Sequence, residues 1–219
     1  LEPVRENGGI ELSGYTNSGE TGLARFEKGT TDPEEAVAGV DLIMVTVPAF
    51  GHEPFTEALA PYLEKGQILM FNTGYWGSLR VKNILEEAGA LEDVIVCESH
   101  IHPYLSRKLS AAHAHIYATK QDIRFAAWPG KETDRAYQKV KKVYPQMRRA
   151  KNVLVTNFFA GNPSWHPTIN IPKASFFFDR AKEFKFYGEV SPSASKLIEA
   201  FDGERIDIAN EFGFDVTTL

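Results

Sequence analysis

The stretch Asn162-Pro163-Ser164-Trp165-His166-Pro167 carries the clearest chemical signal in the chain. Prolines on both sides of His166 stiffen its backbone, and an imidazole that titrates near neutrality suits proton transfer once rigidly presented. Asn162 stands four residues earlier, so a helix would set both side chains on one face, where the amide could hydrogen-bond a substrate oxygen. The same letters also suit a structural histidine between two domains, bonded to a backbone carbonyl. A competing pattern lies in two H-x-H pairs, His100-Ile101-His102 and His113-Ala114-His115. Residues i and i+2 of a strand face the same way, so either pair could chelate a metal, with Glu98 nearby as a carboxylate. Surface or packing histidines explain those letters equally. Arg107 and Lys108 follow, where a guanidinium could fork onto a substrate carboxylate or join a surface ion pair. Cys97 ends an apolar run with no base beside it, which reads as packing. Arg148-Arg149-Ala150-Lys151 reads as a solvated loop; Phe176-Phe177-Phe178 and Phe184, Phe186 and Tyr187 read as core and subunit contact.

These groups need a frame. Asp41 to Val47, Gln67 to Phe71 and Val94 to Cys97 are nearly continuous apolar runs, the pattern of parallel strands buried on both faces. Between them lie a helix from Glu53 to Leu63 and another from Leu79 to Ala88, capped by Ser78 and closed by Gly89. This alternation predicts a doubly wound, Rossmann-like parallel sheet of the α/β class. Upstream, Gly9 to Leu12 and Gly22 to Phe26 read as short strands around the turn Tyr15 to Gly19. Asp32-Pro33-Glu34-Glu35 reads as a helix start. Downstream, strands from His115 to Ala118 and Ile123 to Ala127 straddle Lys120-Gln121-Asp122, and an amphipathic helix covers Thr133 to Val143. Past Pro145 the chain turns mostly helical, with a last helix from Ala194 to Phe212 behind Ser191-Pro192-Ser193. The cut falls near Ala150, giving an α/β part over residues 1–150 and the start of an all-α part over 151–219.

Open parallel sheets bind ligands at the carboxyl ends of their strands. That points to three loops: Val47-Pro48-Ala49-Phe50-Gly51-His52, Asn72-Thr73-Gly74 and Glu98-Ser99-His100. The helix behind Gly51 directs its positive end there. No G-x-G-x-x-G follows a strand, so spacing alone assigns no dinucleotide site. Composition narrows the class further. With 24 Lys and Arg against 29 Asp and Glu, the net charge of −5 argues against a nucleic-acid partner. Hydrophobic residues at 43% and charged ones at 24% suit a packed domain. No apolar run approaches the ~20 residues of a membrane span. A single cysteine excludes an internal disulfide and suits a reducing, cytoplasmic setting.

Taken in order, the segments resemble the opine dehydrogenase family, the octopine/nopaline dehydrogenase-like NAD(P)-dependent enzymes. The matching pieces are Asp41 to Phe50, Gly66-Gln67-Ile68-Leu69 with Asn72-Thr73-Gly74, and Lys151-Asn152-Val153-Leu154. They continue with Asn162 to Pro167, Tyr187 to Ser193 and Asp202-Gly203-Glu204-Arg205-Ile206. The resemblance implies an oxidoreductase acting on CH–NH bonds with NAD or NADP, which reductively condenses an amino acid with a 2-oxo acid. It further implies hydride transfer in a cleft between an α/β and a helical domain, and a homodimer as one assembly. By position, His166 resembles the acid/base and Asn162 a substrate-orienting partner. Arg107 matches a basic substrate-binding residue, while Val47, Pro48, Ala49, Asn72 and Gly74 match cofactor-edge loops.

Some of the family's parts lie outside the chain. Its opening βαβ unit with the glycine fingerprint has no counterpart here, and its helical domain runs past the position of Leu219, supplying the Asp that pairs with the catalytic His. The usual Asn-Pro-Gly is Asn72-Thr73-Gly74, and His100 and His102 stand where small or apolar residues are usual. The 219 residues are therefore expected to be the middle of a longer enzyme, its sheet left with a raw edge. Two rival functions remain at this point: a metal-dependent hydrolase built on the H-x-H pairs, and a non-catalytic remnant that keeps the fold as a binding module.

Overall fold

A computed structural model of the chain describes residues 1–16, 18–174, 186, 188 and 190–218. The chain divides into two compact units, Leu1–Thr156 and Asn157–Leu219.

The first unit opens with α1 (Glu2–Glu6), β1 (Ile10–Gly14), β2 (Gly22–Ala24) and α2 (Pro33–Val37). Asp32 starts α2 as its letters suggest, its carboxylate accepting the N–H of Glu34 at 3.0 Å and of Glu35 at 3.4 Å, with Pro33 in the first turn. Next come β3 (Leu42–Val45), a 3₁₀ turn over Ala49–Gly51, α3 (His52–Leu59) and β4 (Ile68–Asn72). The expected helix from Leu79 to Ala88 is broken in two, α4 (Gly77–Arg80) and α5 (Lys82–Glu87), with buried Val81 at the joint. Ser78 lies inside α4 and is not the expected cap, because its N–H and hydroxyl are both taken by Glu98. Then follow β5 (Ile95–Ser99), β6 (Tyr104–Ser110), β7 (His113–Thr119), β8 (Ile123–Trp128), α6 (Thr133–Val143), β9 (Met147–Arg149) and α7 (Val153–Phe159), whose last residues cross into the second unit.

The strands form two sheets, β3-β4-β5-β8-β9 and β2-β1-β7-β6. In the larger one β3, β4 and β5 run parallel, as the apolar runs predict, and β9 runs parallel to β8. The β5–β8 pair is antiparallel. The smaller sheet takes up both short N-terminal strands, with β1 parallel to β7 and β6–β7 an antiparallel hairpin. Strands β7 and β8, adjacent in sequence, thus belong to different sheets. Strands β6 and β9 are additions to the expected set.

β4 lies at the centre of the packing: all five of its residues are buried. Its period of two splits the core. Leu69 and Phe71 pack with Val45, Val96, Leu59 and Leu85, while Ile68 and Met70 pack with Ile95, Ile123, Phe125, Ala136 and Val140. Each such side chain removed from water contributes about 1.5–3 kcal/mol. Among the described residues, no helix is long and apolar enough to cross a membrane.

The second unit contains α8 (Asn162–Asn170) and α9 (Pro192–Glu211). Ser191 caps α9 by accepting the Ala194 N–H at 3.2 Å, with Pro192 in the first turn. The aromatic run Phe176-Phe177-Phe178 and the residues Phe184 and Tyr187 lie outside the described residues. A buried pair ties the unit together: Arg205 is 8% exposed and donates to Asp202 at 2.7 Å, to the Thr217 carbonyl at 2.6 Å and to the Phe158 carbonyl. Replacing Arg205 by Ala removes the buried cation that bonds Asp202 and two backbone carbonyls. A loss of about 3–5 kcal/mol is expected, read as a lowered denaturant midpoint; an unchanged midpoint would show that the pair adds no net stability.

Candidate active site

Each carboxyl-end loop is held by identifiable contacts. After β3, Val47 and Pro48 lead into the 3₁₀ turn, where the Gly51 N–H bonds the Pro48 carbonyl at 2.7 Å. A Cβ on Gly51 would lie 2.9 Å from Val47, so the tight reversal needs glycine here. Arg80 reaches across from α4 to bond Glu53 at 2.9 Å and the Ala49 carbonyl at 3.3 Å. The edge formed by Val47, Pro48 and Ala49 is thereby tied to the next loop.

After β4, the chain makes a sharper turn. Tyr75 and Trp76 both sit in the left-handed region, at φ 46° and 66°. Such conformations cost about 1–3 kcal/mol each and gather at functional sites. They are held from both sides: the Gly74 N–H bonds the Ser99 carbonyl at 2.9 Å, and the Gly77 N–H bonds the Gly74 carbonyl at 2.8 Å. A Cβ on Gly74 would come within 2.4 Å of the Glu98 side chain, and one on Gly77 within 2.5 Å of His52 Nδ1. The turn is pressed against two titratable residues.

Glu98, on β5, is 1% exposed. Its Oε2 accepts the Ser78 N–H at 3.1 Å and the Ser78 hydroxyl at 2.6 Å. Its Oε1 lies 3.1 Å from Thr156 Oγ1, which shares its proton with the Val153 carbonyl at 2.8 Å. The carboxyl group therefore joins β5, α4 and α7. This captures Ser78 and is why Ser78 is no helix cap. The sequence does carry a signal for Glu98, an acid closing an otherwise apolar strand run, but not for its partners. Beside it, burial pushes the Cys97 thiol well up, and the Glu98 charge acts in the same direction. Cys97 is packing.

Two further buried polar groups sit at this edge. His52 is fully buried and packs its ring 4.7 Å from that of Phe71. Neither ring nitrogen has a hydrogen-bond partner of good geometry. Burial lowers its pKa, against the pull of the Val47 carbonyl. Asn72, 2% exposed, accepts the Ser99 hydroxyl at 2.6 Å through Oδ1 and leaves Nδ2 without an acceptor. Because Ser99 Oγ also lies 3.1 Å from the Ile101 carbonyl, the amide could be turned round, but one of its N–H groups stays unpaired in either orientation. The Asn72–Thr73 peptide bond is cis.

The H-x-H pairs resolve into different environments. His100 accepts the Arg124 N–H at Nδ1, 2.9 Å away, and burial lowers its pKa to about 4. His102 lies beyond the end of β5 with part of its surface in solvent, and partial desolvation of its ring together with the Lys120 charge lowers its pKa. His113 and His115 both lie on β7 and converge on Ser13 Oγ, at 2.9 Å and 2.8 Å. Among the described residues no group of three or more His, Cys, Asp or Glu could hold a metal ion. Arg107 is exposed on β6, opposite His115, with Nη1 bonding the adjacent Ser106 carbonyl at 3.0 Å. That strand belongs to the smaller sheet, whereas Asn72 closes a strand of the larger one.

In the second unit, α8 contains both Asn162 and His166, one helical turn apart. Pro163 starts the helix and Pro167 lies within it. His166 is half-buried, its ring edge-on to Phe186 at 5.1 Å and 86°. Burial holds its pKa below the usual 6.5.

Comparison with known proteins agrees with this architecture. Residues 149–219 match the family described as NAD/NADP octopine/nopaline dehydrogenase, alpha-helical domain. The whole chain aligns with the opine dehydrogenase of Arthrobacter sp. (strain 1C), 29% identical over 221 residues and covering 60% of that protein. Among solved structures, octopine dehydrogenase with NADH and L-arginine has a TM-score of 0.69 at 22% identity, over 92% of this chain and 52% of its own. Yersinopine dehydrogenase with NADP+ bound has a TM-score of 0.73 at 16% identity, over all of this chain and 56% of its own. These structures share the fold. The chain spans about 60% of its curated relative's length and over that span is similar to opine dehydrogenase, with residues 149–219 matching the family's helical domain.

Proposed function

We propose that the chain is the central part of an NAD(P)H-dependent enzyme that reductively condenses an amino acid with a 2-oxo acid, acting on a CH–NH bond. The observation that carries this reading is the helical pairing of Asn162 with His166 inside the segment that matches the family's helical domain. Relatives support the substrate class, since octopine dehydrogenase is solved with NADH and L-arginine and also with NADH and pyruvate.

The residues present fit one side of a dinucleotide. Val47, Pro48, Ala49 and Gly74 put small surfaces at the strand ends, and Asn72 brings a buried N–H with no acceptor. The group itself, when bound, supplies the hydride. Val47, Pro48, Ala49, Asn72 and Gly74 would hold its nicotinamide side. The residues that cradle its pyrophosphate are not among these, because no glycine fingerprint occurs in the sequence. The first unit would thus hold the cofactor and the second the acid/base group.

His166 is the acid/base. A half-buried ring with a lowered pKa is neutral at pH 7, ready to take a proton when the opine is oxidised and to return it when the carbonyl and amine condense. Asn162, on the same helical face, orients a substrate oxygen. Arg107 is a second candidate for the substrate's carboxylate. A cytoplasmic setting suits the lone buried thiol. A homodimer would cover the exposed apolar residues Leu197, Phe201 and Ile208, which recur along one face of α9 at spacings of four and seven residues.

In the full-length enzyme, His166→Ala should lower turnover roughly 10²–10⁴-fold; near-native imine reduction by that variant would remove the role. For opine oxidation, where the neutral ring is required, the acidic limb of the pH–rate profile should fall below 6.5 and vanish in the variant. Gly74→Ala forces a Cβ to within 2.4 Å of Glu98 and must move the turn. It should weaken NADH or NADPH binding at least tenfold in a fluorescence titration while far-ultraviolet dichroism stays native. Unchanged cofactor affinity would place the dinucleotide elsewhere.

A further inference from the structure

The carboxyl edge of β5 carries a group of polar residues that hydride transfer does not use. Three hydrogen bonds, two of them between backbone groups, zip two segments together there. The His100 N–H bonds the Arg124 carbonyl at 3.0 Å, the Arg124 N–H bonds His100 Nδ1 at 2.9 Å, and the Lys120 N–H bonds the Pro103 carbonyl at 2.9 Å. The turn that ends β7 is thereby fixed against the loop that leaves β5. The loop is also tied to Asn72 through Ser99, and the Asn72 carbonyl lies beside the His102 ring.

The charges in this cluster do not cancel locally. Asp122 is matched by two cations, Arg124 at 3.4 Å and Arg148 at 3.5 Å. Lys120, half-buried, makes no ion pair with an acid among the described residues. Burial lowers its pKa, and its charge in turn disfavours protonation of both His100 and His102. A desolvated ammonium left unpaired loses free energy that a bound anion returns. An independent feature points the same way: the buried Asn72 amide on the adjoining strand end keeps a donor without an acceptor.

We propose that Lys120 and one N–H of Asn72, beside the His102 ring, form the subsite for a substrate carboxylate. The proposal rests on the dehydrogenase reading for the identity of that carboxylate, which belongs either to the 2-oxo acid or to the amino acid. A carboxylate accepts from an ammonium and an amide N–H at once, while the His102 ring, its own N–H turned to the Asn72 carbonyl, lines the subsite without donating to it. The subsite lies at the end of the sheet where Val47, Pro48 and Ala49 present the cofactor edge. Asn72 has two hydrogens, so its side chain serves substrate and cofactor together. The assignment also moves carboxylate recognition away from Arg107, which lies opposite His115, back along β7 from the turn that holds Lys120.

Full-length protein saturated with NADH, or with NADPH if that binds, is titrated calorimetrically with pyruvate and separately with L-arginine. Lys120→Gln is expected to weaken one of the two roughly ten- to a hundred-fold, as loss of a charged hydrogen bond does. Lys120→Arg should restore most of it, with cofactor affinity unchanged in both variants. The weakened ligand identifies which carboxylate occupies the subsite. Agmatine, which lacks the carboxylate of L-arginine, gives a control: its affinity should not respond to Lys120→Gln. The proposal is overturned if both affinities persist in Lys120→Gln, if wild-type protein binds neither acid, if cofactor binding falls in parallel, or if Arg107→Gln produces the loss instead. Opine formation is assayed separately. Lys120-dependent carboxylate binding without any opine product would leave the subsite in place and remove the dehydrogenase reading.

Discussion

The carboxyl edge of the larger sheet depends on one buried carboxyl group, that of Glu98. Taking such a group out of water costs several kcal/mol unless its oxygens are met by donors. Here Ser78 gives two and Thr156 a third. The two donor residues come from different parts of the chain, so the electrostatic requirement of one side chain fixes α4 and α7 against β5. The left-handed turn at Tyr75 and Trp76 follows from it. With Gly74 pressed on the Glu98 side chain and Ser78 bonded to its oxygens, the intervening residues have only a short arc in which to reverse. The strain in that arc is balanced by the bonds at its two ends.

Much of the frame is legible from the residues because local and long-range requirements coincide. The runs over β3, β4 and β5 are apolar on both faces, which only a covered parallel sheet satisfies. Asp32-Pro33 and Ser191-Pro192 pair a capping side chain with a residue preset for the first turn, and both helices begin there. Strand β6 escapes the same reading because six of its seven residues are exposed, leaving no buried face to impose a period. Strand β9 has three residues, too few for any pattern, and exists through its ladder with β8. Ser78 has the letters of a cap, but a buried acid twenty residues away competes for its hydroxyl and wins.

The site divides in the same way. Asn162 and His166 announce themselves by spacing, since a helix needs only local information to put residues four apart on one face. His113 and His115 also share a face, as a strand requires, yet the hydroxyl of Ser13, a hundred residues distant in sequence, decides what the two rings meet. Position in a ladder is a tertiary property, and no spacing rule contains it. Arg107 shows the converse: its place after the third strand suggests the sheet's ligand edge, but the hairpin with β7 carries it into another sheet.

His52 and Asn72 are both buried polar residues with unpaired atoms near the same edge, and they differ in how far the chain itself offsets that cost. His52 is enclosed by Phe71 and Gly77, its pKa lowered by that burial, so it behaves as a flat neutral spacer between α3 and α4. Its packing offsets part of the cost of the unpaired nitrogens. Asn72 has no such compensation. It is the last residue of its strand, its side-chain oxygen is already engaged by Ser99, and its backbone carbonyl meets the His102 ring, next to the Lys120 charge. An unpaired buried donor costs about 1–3 kcal/mol. At a strand end next to an unmatched cation, the arrangement returns that cost only when an acceptor arrives from outside the chain.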